Sequence, residues 1–151
     1  MTDTFTSNLA DTWISLWNGD LTVTSRILSP QFVSHAAPLT GGASTDSEGR
    51  EAFEAWVRGA HEALRDLRFS IERGPFRDGD MVIIRWRADA TYPGGIPGAS
   101  AEPGTSVGFF GADLLRLDGE GRIVEYWVHS DSLWFVQQLG LSELPSLEAA
   151  S

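Results

Sequence analysis

Two acids and an imidazole recur on one side of a single strand near the C-terminus. In the stretch Gly121 to Gly140, strand alternation puts Ile123, Glu125, Trp127, His129 and Asp131 on one face. Val124, Tyr126, Val128 and Ser130 fall on the other. An unpaired buried charge is expensive, so a packed core gives no reason to collect such groups. A strand lining a polar-bottomed pocket does. Asp131 is the first candidate for moving a proton to or from a carbonyl-bearing ligand, a task that needs a pKa near the working pH. Trp127 and Trp134 could wall it and raise that pKa by desolvation. His129, on the same face, can orient a ligand oxygen or tune the acid. Plainer readings stand beside these. An Asp just before a helix is a routine N-cap, and a lone His is a common polar residue at a sheet end.

A second polar stripe lies on the strand Met81 to Tyr92. Arg85, Arg87, Asp89 and Thr91 share one face, while Val82, Ile84, Trp86 and Ala88 share the other. The stripe reads as a pocket floor, with Thr91, Tyr92 and Phe110 as further ligand contacts, or as a ladder of cross-strand ion pairs. Phe76, Phe109 and Phe110 read as walls or core. Glu125 is expected to pair with an arginine across the sheet, and His61 to be a solvated helix residue. Three scattered histidines without cysteine give no metal-ligand spacing. No Gly-rich phosphate loop is present either, so neither metal nor cofactor is expected.

The elements that must position these groups follow from periodicity. Residues 1 to 7 read as a frayed start. Leu9, Trp13, Leu16 and Trp17 recur at helical spacing, ended by Asn18-Gly19. Asp20 would cap a short helix through Leu28, stopped by Pro30, and Gln31 to His35 reads as a strand. Residues 36 to 47 form a loop, after which Ser47 or Asp46 caps the longest helix, with the stripe Phe53, Trp56, Val57, Ala60 and Leu64. Four strands follow, over 67–73, 81–92, 107–117 and 122–130. Arg77-Asp78-Gly79-Asp80 and Asp118-Gly119-Glu120-Gly121 have hairpin-turn composition. The Pro- and Gly-rich stretch 92–105 is too long for a tight turn and reads as a mobile flap. A last helix runs over 132–139. Helices first and then a mostly antiparallel sheet means α+β.

At 151 residues, 42% hydrophobic and 11% aromatic, the chain is one domain able to bury a core, with loose ends at 1–7 and 145–151. Its net charge of −10 without any basic run argues against nucleic acid and anionic membrane surfaces. The absence of cysteine excludes disulfides and thiolate metal sites. No stretch is apolar enough to span a bilayer, and the default reading is a soluble cytoplasmic protein.

The same residues carry a resemblance. The strand around Gly121-Arg-Ile-Val-Glu-Tyr-Trp, the following Asp131 and the close Gln137-Gln138-Leu139-Gly140 resemble the C-terminal signature of the SnoaL-like polyketide cyclases. Upstream, Phe32-Val-Ser-His35, the helix-opening Gly49, Gly79-Asp80 before Val82-Ile-Ile-Arg-Trp86, and Thr91 match in order and spacing, over about residues 8 to 141. The resemblance implies the cone of nuclear transport factor two, a curved sheet wrapped on helices around an internal cavity. It also implies dimerisation through the outer sheet face. It makes Asp131 the general acid/base of an intramolecular aldol ring closure and puts His35 in the pocket. The chain has Ala90-Thr91-Tyr92 where members often read Gly-Thr-His, and tyrosine does not shuttle protons near neutral pH. The expected function is a cofactor-free cyclase or isomerase acting on a hydrophobic, carbonyl-rich small molecule. Two rivals remain open. Arg87, Asp89 and Asp131 resemble the Asp-Arg-Asp set of the limonene-epoxide-hydrolase relatives, and the fold also serves as a non-enzymatic binding or dimerising module.

Overall fold

A computed structural model describes residues 3–141. The elements run α1 (Thr4–Trp17), α2 (Thr24–Ile27), β1 (Leu28–Ala36), β2 (Thr45–Glu48), α3 (Arg50–Ala63), β3 (Arg65–Asp78), β4 (Met81–Thr91), β5 (Ser106–Leu117), β6 (Ile123–Ser130) and α4 (Ser132–Gln138). The strands make one curved, unclosed sheet in the order β2-β1-β6-β5-β4-β3. Neighbours are antiparallel except for β1 and β6, which run parallel. This is the expected α+β cone.

The first helix begins earlier than its apolar stripe suggests. Asp3 accepts the Thr6 amide at 2.8 Å and the Thr6 hydroxyl at 2.9 Å, which caps α1 at Thr4 and removes the expected frayed start at 4–7. Leu9, Ala10, Trp13, Ile14, Leu16 and Trp17 are all buried. At its end the Asn18 side chain clamps β3 in both directions, donating to Phe69 O at 3.0 Å and accepting from Phe69 N at 2.7 Å. These bonds fix the angle at which α1 crosses the sheet.

Three expectations about the next segment are corrected. Asp20 caps the second helical segment as expected, accepting the Thr22 amide at 3.2 Å. That segment is a 3-10 turn over Leu21–Val23 and one α turn that ends at Ile27, because Leu28 is already extended and its carbonyl is taken by the Arg50 guanidinium at 2.6 and 2.9 Å. Pro30 therefore lies inside β1 rather than stopping a helix. Residues 45–48 are not loop: they form β2, with Ser47 opposite Ser34 and Asp46 opposite His35. Neither Asp46 nor Ser47 caps α3. Gly49 stands at that position with φ +92°, a conformation that glycine adopts without the steric cost of a Cβ.

The four long strands lie where alternation put them, with β3 extending further at both ends. The stretch 92–105 is not a flap over the cavity. Its Ser100 and Ala101 amides both donate to Leu139 O at 3.0 Å, and Ile96 N donates to the Tyr92 hydroxyl at 3.0 Å, which docks it on the end of α4. The proposed loose end at 145–151 lies outside the described residues.

Candidate functional site

Strand alternation decides which side chains meet the interior. On β5, Val107, Phe109, Gly111, Asp113, Leu115 and Leu117 point inward and are buried. On β4 the inward set is Val82, Ile84, Trp86, Ala88 and Ala90, and on β6 it is Tyr126, Val128 and Ser130. Trp86, Phe109, Asp113 and the β6 set join Ile14 and Trp17 of α1 and Trp56 and Ala60 of α3 to line a cavity of about 310 Å³. The exposed members of the lining are Ala37, Pro38, Thr45 and Ser47, so the mouth opens beside β2.

Asp113 is the single carboxylate in this lining. It is 1% exposed. Its Oδ2 accepts from Trp13 Nε1 at 2.8 Å, and its Oδ1 accepts from Trp86 Nε1 at 2.9 Å and from the Tyr126 hydroxyl at 2.9 Å. The three donors come from α1, β4 and β6, and all are neutral. Burial therefore dominates and pushes the Asp113 carboxyl up to about 6, while the three donors oppose that rise. Burial and the adjacent Asp113 push the Tyr126 phenol well above its ordinary value. Gly111 makes the cradle possible. A Cβ there would collide with the Trp86 indole, so only glycine lets that ring lie flat enough to reach Asp113.

The polar face of β6 points the other way. Arg116 of β5 faces Glu125 while Leu117 faces Ile123, so Val124 is an extra residue in the ladder. This β-bulge keeps both Ile123 and Tyr126 buried and leaves Glu125, Trp127 and His129 on the convex side. His35 is there as well, and is not among the cavity residues. Its Nδ1 lies 2.7 Å from Asp46, its Nε2 lies 2.7 Å from Glu125, and its ring stacks on Trp127 at 5.3 Å. Hydrogen bonds to Asp46 and Glu125 raise its pKa. Burial pushes Glu125 up, but the bonds from His35 and Arg116 outweigh it and hold the carboxylate below its usual range. Glu125 thus has the cross-strand arginine that alternation suggested.

The other sequence candidates also lie away from the cavity lining. Asp131 is exposed ahead of α4, with no side-chain capping bond. His129 is exposed, and Trp134 is half exposed at 50%. Arg85 pairs with Glu72 of β3, and Arg87 pairs with Asp89 at 2.8 Å, so the stripe on β4 is an ion-pair ladder. Phe110 lies under both guanidinium groups, at 4.8 and 5.4 Å. Tyr92 is buried against the 92–105 stretch, and Thr91 is half-buried at the strand end. His61 is not simply solvated: it bonds to Trp17 O at 2.7 Å. Among the described residues, no three of His, Cys, Asp and Glu converge closely enough to hold a metal ion.

Asp113 escaped the sequence reading, although it left a signal. It stands in the alternation Val107, Phe109, Gly111, Asp113, Leu115, Leu117, an acid in an apolar register. A charge at such a position needs internal donors, and the indoles and phenol that provide them are scattered over three elements.

Comparison with known proteins gives the same architecture. A polyketide cyclase assigned provisionally, from Acidithiobacillus ferrooxidans, superposes with a TM-score of 0.76 at 24% identity, over 93% of this chain and 98% of that one. IdmH from Streptomyces antibioticus, assigned in the same way, gives 0.75 at 24% identity, over 90% and 99%. A protein of ketosteroid-isomerase-like fold from Catenulispora acidiphila, solved with trimethylamine, gives 0.68 at 20% identity, over 91% and 97%. Nothing matches among curated proteins. At these identities the structures establish the fold alone. The family model for the SnoaL-like domain matches residues 10–126, more than three-quarters of the sequence, and the chain belongs to that family.

Proposed function

We propose that the protein is a cofactor-free cyclase or isomerase in which Asp113 handles the proton. The observation that carries this reading is a buried carboxylate with a pKa of about 6 facing a cavity lined mostly by aromatic and aliphatic side chains. A base that is ionised near neutral pH yet close to its pKa is suited to both taking and returning a proton. Asp113 removes a hydrogen from the carbon beside a ligand carbonyl. The C–H electron pair becomes a C=C bond, and the carbonyl π pair moves onto oxygen as an enolate. Where a C=C bond already flanks that carbon, the enolate is a dienolate, and returning the proton to its far (γ) carbon shifts the double bond and completes an isomerisation. When the enolate carbon instead attacks a second carbonyl of the same molecule, the new alkoxide takes the proton and a ring closes. The dry walls hold the chain folded, so the second step is pre-oriented.

The test is solvent exchange. A panel of aryl ketones and 1,3-dicarbonyl compounds is incubated with the protein in D2O, and deuterium at the α-carbon is followed by NMR. Exchange should fall at least ~100-fold in Asp113→Asn, the scale of one acid/base group. Exchange that survives in Asp113→Asn but vanishes in Asp131→Asn would move the role to the residue before α4. Bound ketones with no exchange at all would leave a binding module.

The reading includes a homodimer through the convex sheet face. Phe76 and Ile83, opposite each other on β3 and β4, are 58% and 40% exposed. Arg85, Arg87 and Arg116 each have a carboxylate within their own chain, so a second copy meets a face without unpaired arginine charge on β4 and β5. Sedimentation should show a dimer that Ile83→Glu dissociates. A wild-type monomer at the same concentration sinks this part.

A further inference from the structure

The Asp113 cradle takes up three of the donors at the inner end of the cavity. The indoles of Trp13 and Trp86 and the Tyr126 hydroxyl all donate to the same carboxylate. Another is left over. Trp17 lines the cavity, is 6% exposed, and its Nε1 is buried without a hydrogen-bond partner. This indole N–H lies close enough to Tyr126 to favour ionisation of the phenol, without the geometry of a bond to it. The orphan donor and the acid therefore share one corner of the cavity. Trp17 is also held firmly. Its backbone carbonyl takes the His61 ring nitrogen at 2.7 Å, and its indole packs edge-on against Phe53 and Trp56 at 5.3 and 4.9 Å. A buried N–H left unsatisfied is costly, and a ligand acceptor would relieve that cost.

We propose that Trp17 Nε1 receives the ligand's reacting carbonyl oxygen, so the substrate is a largely apolar ketone with that oxygen at the inner end of the cavity. This rests on the function proposed above and narrows its substrate class. The lining is mostly aromatic and aliphatic, with hydroxyls on buried Ser34 beside Tyr126, on half-buried Ser130 and, at the exposed rim, on Thr45 and Ser47. Further oxygens of the ligand belong at these hydroxyls. When Asp113 takes the α-hydrogen, the carbonyl π electrons move onto the oxygen held by Trp17. The bond then becomes charge-assisted and strengthens as the enolate forms. Donor and base act at the two ends of one O=C–C–H unit of the ligand, as the shared corner allows.

The experiment compares 1-tetralone with tetralin, which has the same ring system without the oxygen. Wild-type protein should bind the ketone about tenfold more tightly than the hydrocarbon, and the infrared carbonyl stretch of bound tetralone should move to lower frequency than in hexane. Trp17→Phe should abolish the preference and the shift, weakening tetralone about tenfold more than tetralin. If that variant does not fold, the Trp17 indole resonance of wild-type protein still reports, moving downfield with tetralone and not with tetralin. No ketone preference, an unshifted carbonyl, or equal loss of both ligands in Trp17→Phe overturns the proposal. The two readings fail separately. A ketone preference without α-deuteration removes the acid/base role and keeps the anchor, whereas Asp113-dependent exchange that Trp17→Phe does not slow removes the anchor alone.

Discussion

The two faces of the central strands treat charge in opposite ways. On the concave face, Asp113 lies among neutral donors with no cation near it, and burial raises its carboxyl to about 6. On the convex face, Glu125 has Arg116 on one side and His35 on the other, and its carboxyl is lowered. Asp113 and Glu125 sit on adjacent strands of one sheet, β5 and β6. Strand alternation, together with the bulge at Val124, turns one toward the cavity and the other toward the convex face. The difference teaches that a charged residue on a strand marks chemistry only where its counter-charge is withheld. Where each acid has its base, the stripe is structural.

The largest test of this contrast is the pH dependence of stability at Asp113. Its folded value of about 6 lies above the ordinary 3.8, so protonation favours the fold. The contribution is fully present below 3.8 and is lost as the pH rises through about 6. The span corresponds to ~3 kcal/mol. In Asp113→Asn the slope disappears, although a constant offset remains, because the amide turns its own N–H groups toward one of the three donors. Urea unfolding of both proteins at pH 4, 5, 6 and 7 gives the difference directly. A difference that does not change with pH would mean that the carboxyl is not raised, and the concave face would then handle charge as the convex one does.

Most of the fold was legible because its signals are local. The four long strands, the stripe Phe53, Trp56, Val57 and Leu64, and the helical spacing of Trp13 and Trp17 come from periodicity within one element. The misplaced boundaries have non-local causes. Arg50 fixes Leu28 from 22 residues away, and β2 exists because residues 45–48 find β1. Asp3 is a local cap that an apolar stripe does not reveal. The site was harder to read. The alternation of β6 holds from Glu125 to Ser130 but breaks at Val124, where a bulge turns Ile123 to the buried side with Tyr126. Which face turns inward depends on that bulge and on the tryptophans across the cavity. A polar face looks like a pocket when its partners, here Arg116, Asp46 and Glu72, cannot yet be placed opposite it.

The smaller test lies on the convex face, at His35. Its pKa is raised, first by Asp46 and then by Glu125, with Arg116 behind Glu125 and Trp127 stacked on the ring. A raised histidine stabilises the fold fully below its ordinary value of 6.5, and loses that contribution as the pH rises through the raised value. His35→Gln should therefore cost ~0.5–1 kcal/mol below pH 6.5, the scale of partly exposed ion pairs, and progressively less as the medium turns basic. Added salt should shrink the effect at low pH, since Asp46 is open to solvent. The measurement is the urea midpoint of both proteins from pH 6 to 9, at low and high ionic strength. A loss that persists unchanged to pH 9 would show that the ring's stacking on Trp127 matters and its charge does not. The convex face would then owe its cohesion to packing, and the contrast with Asp113 would rest on burial alone.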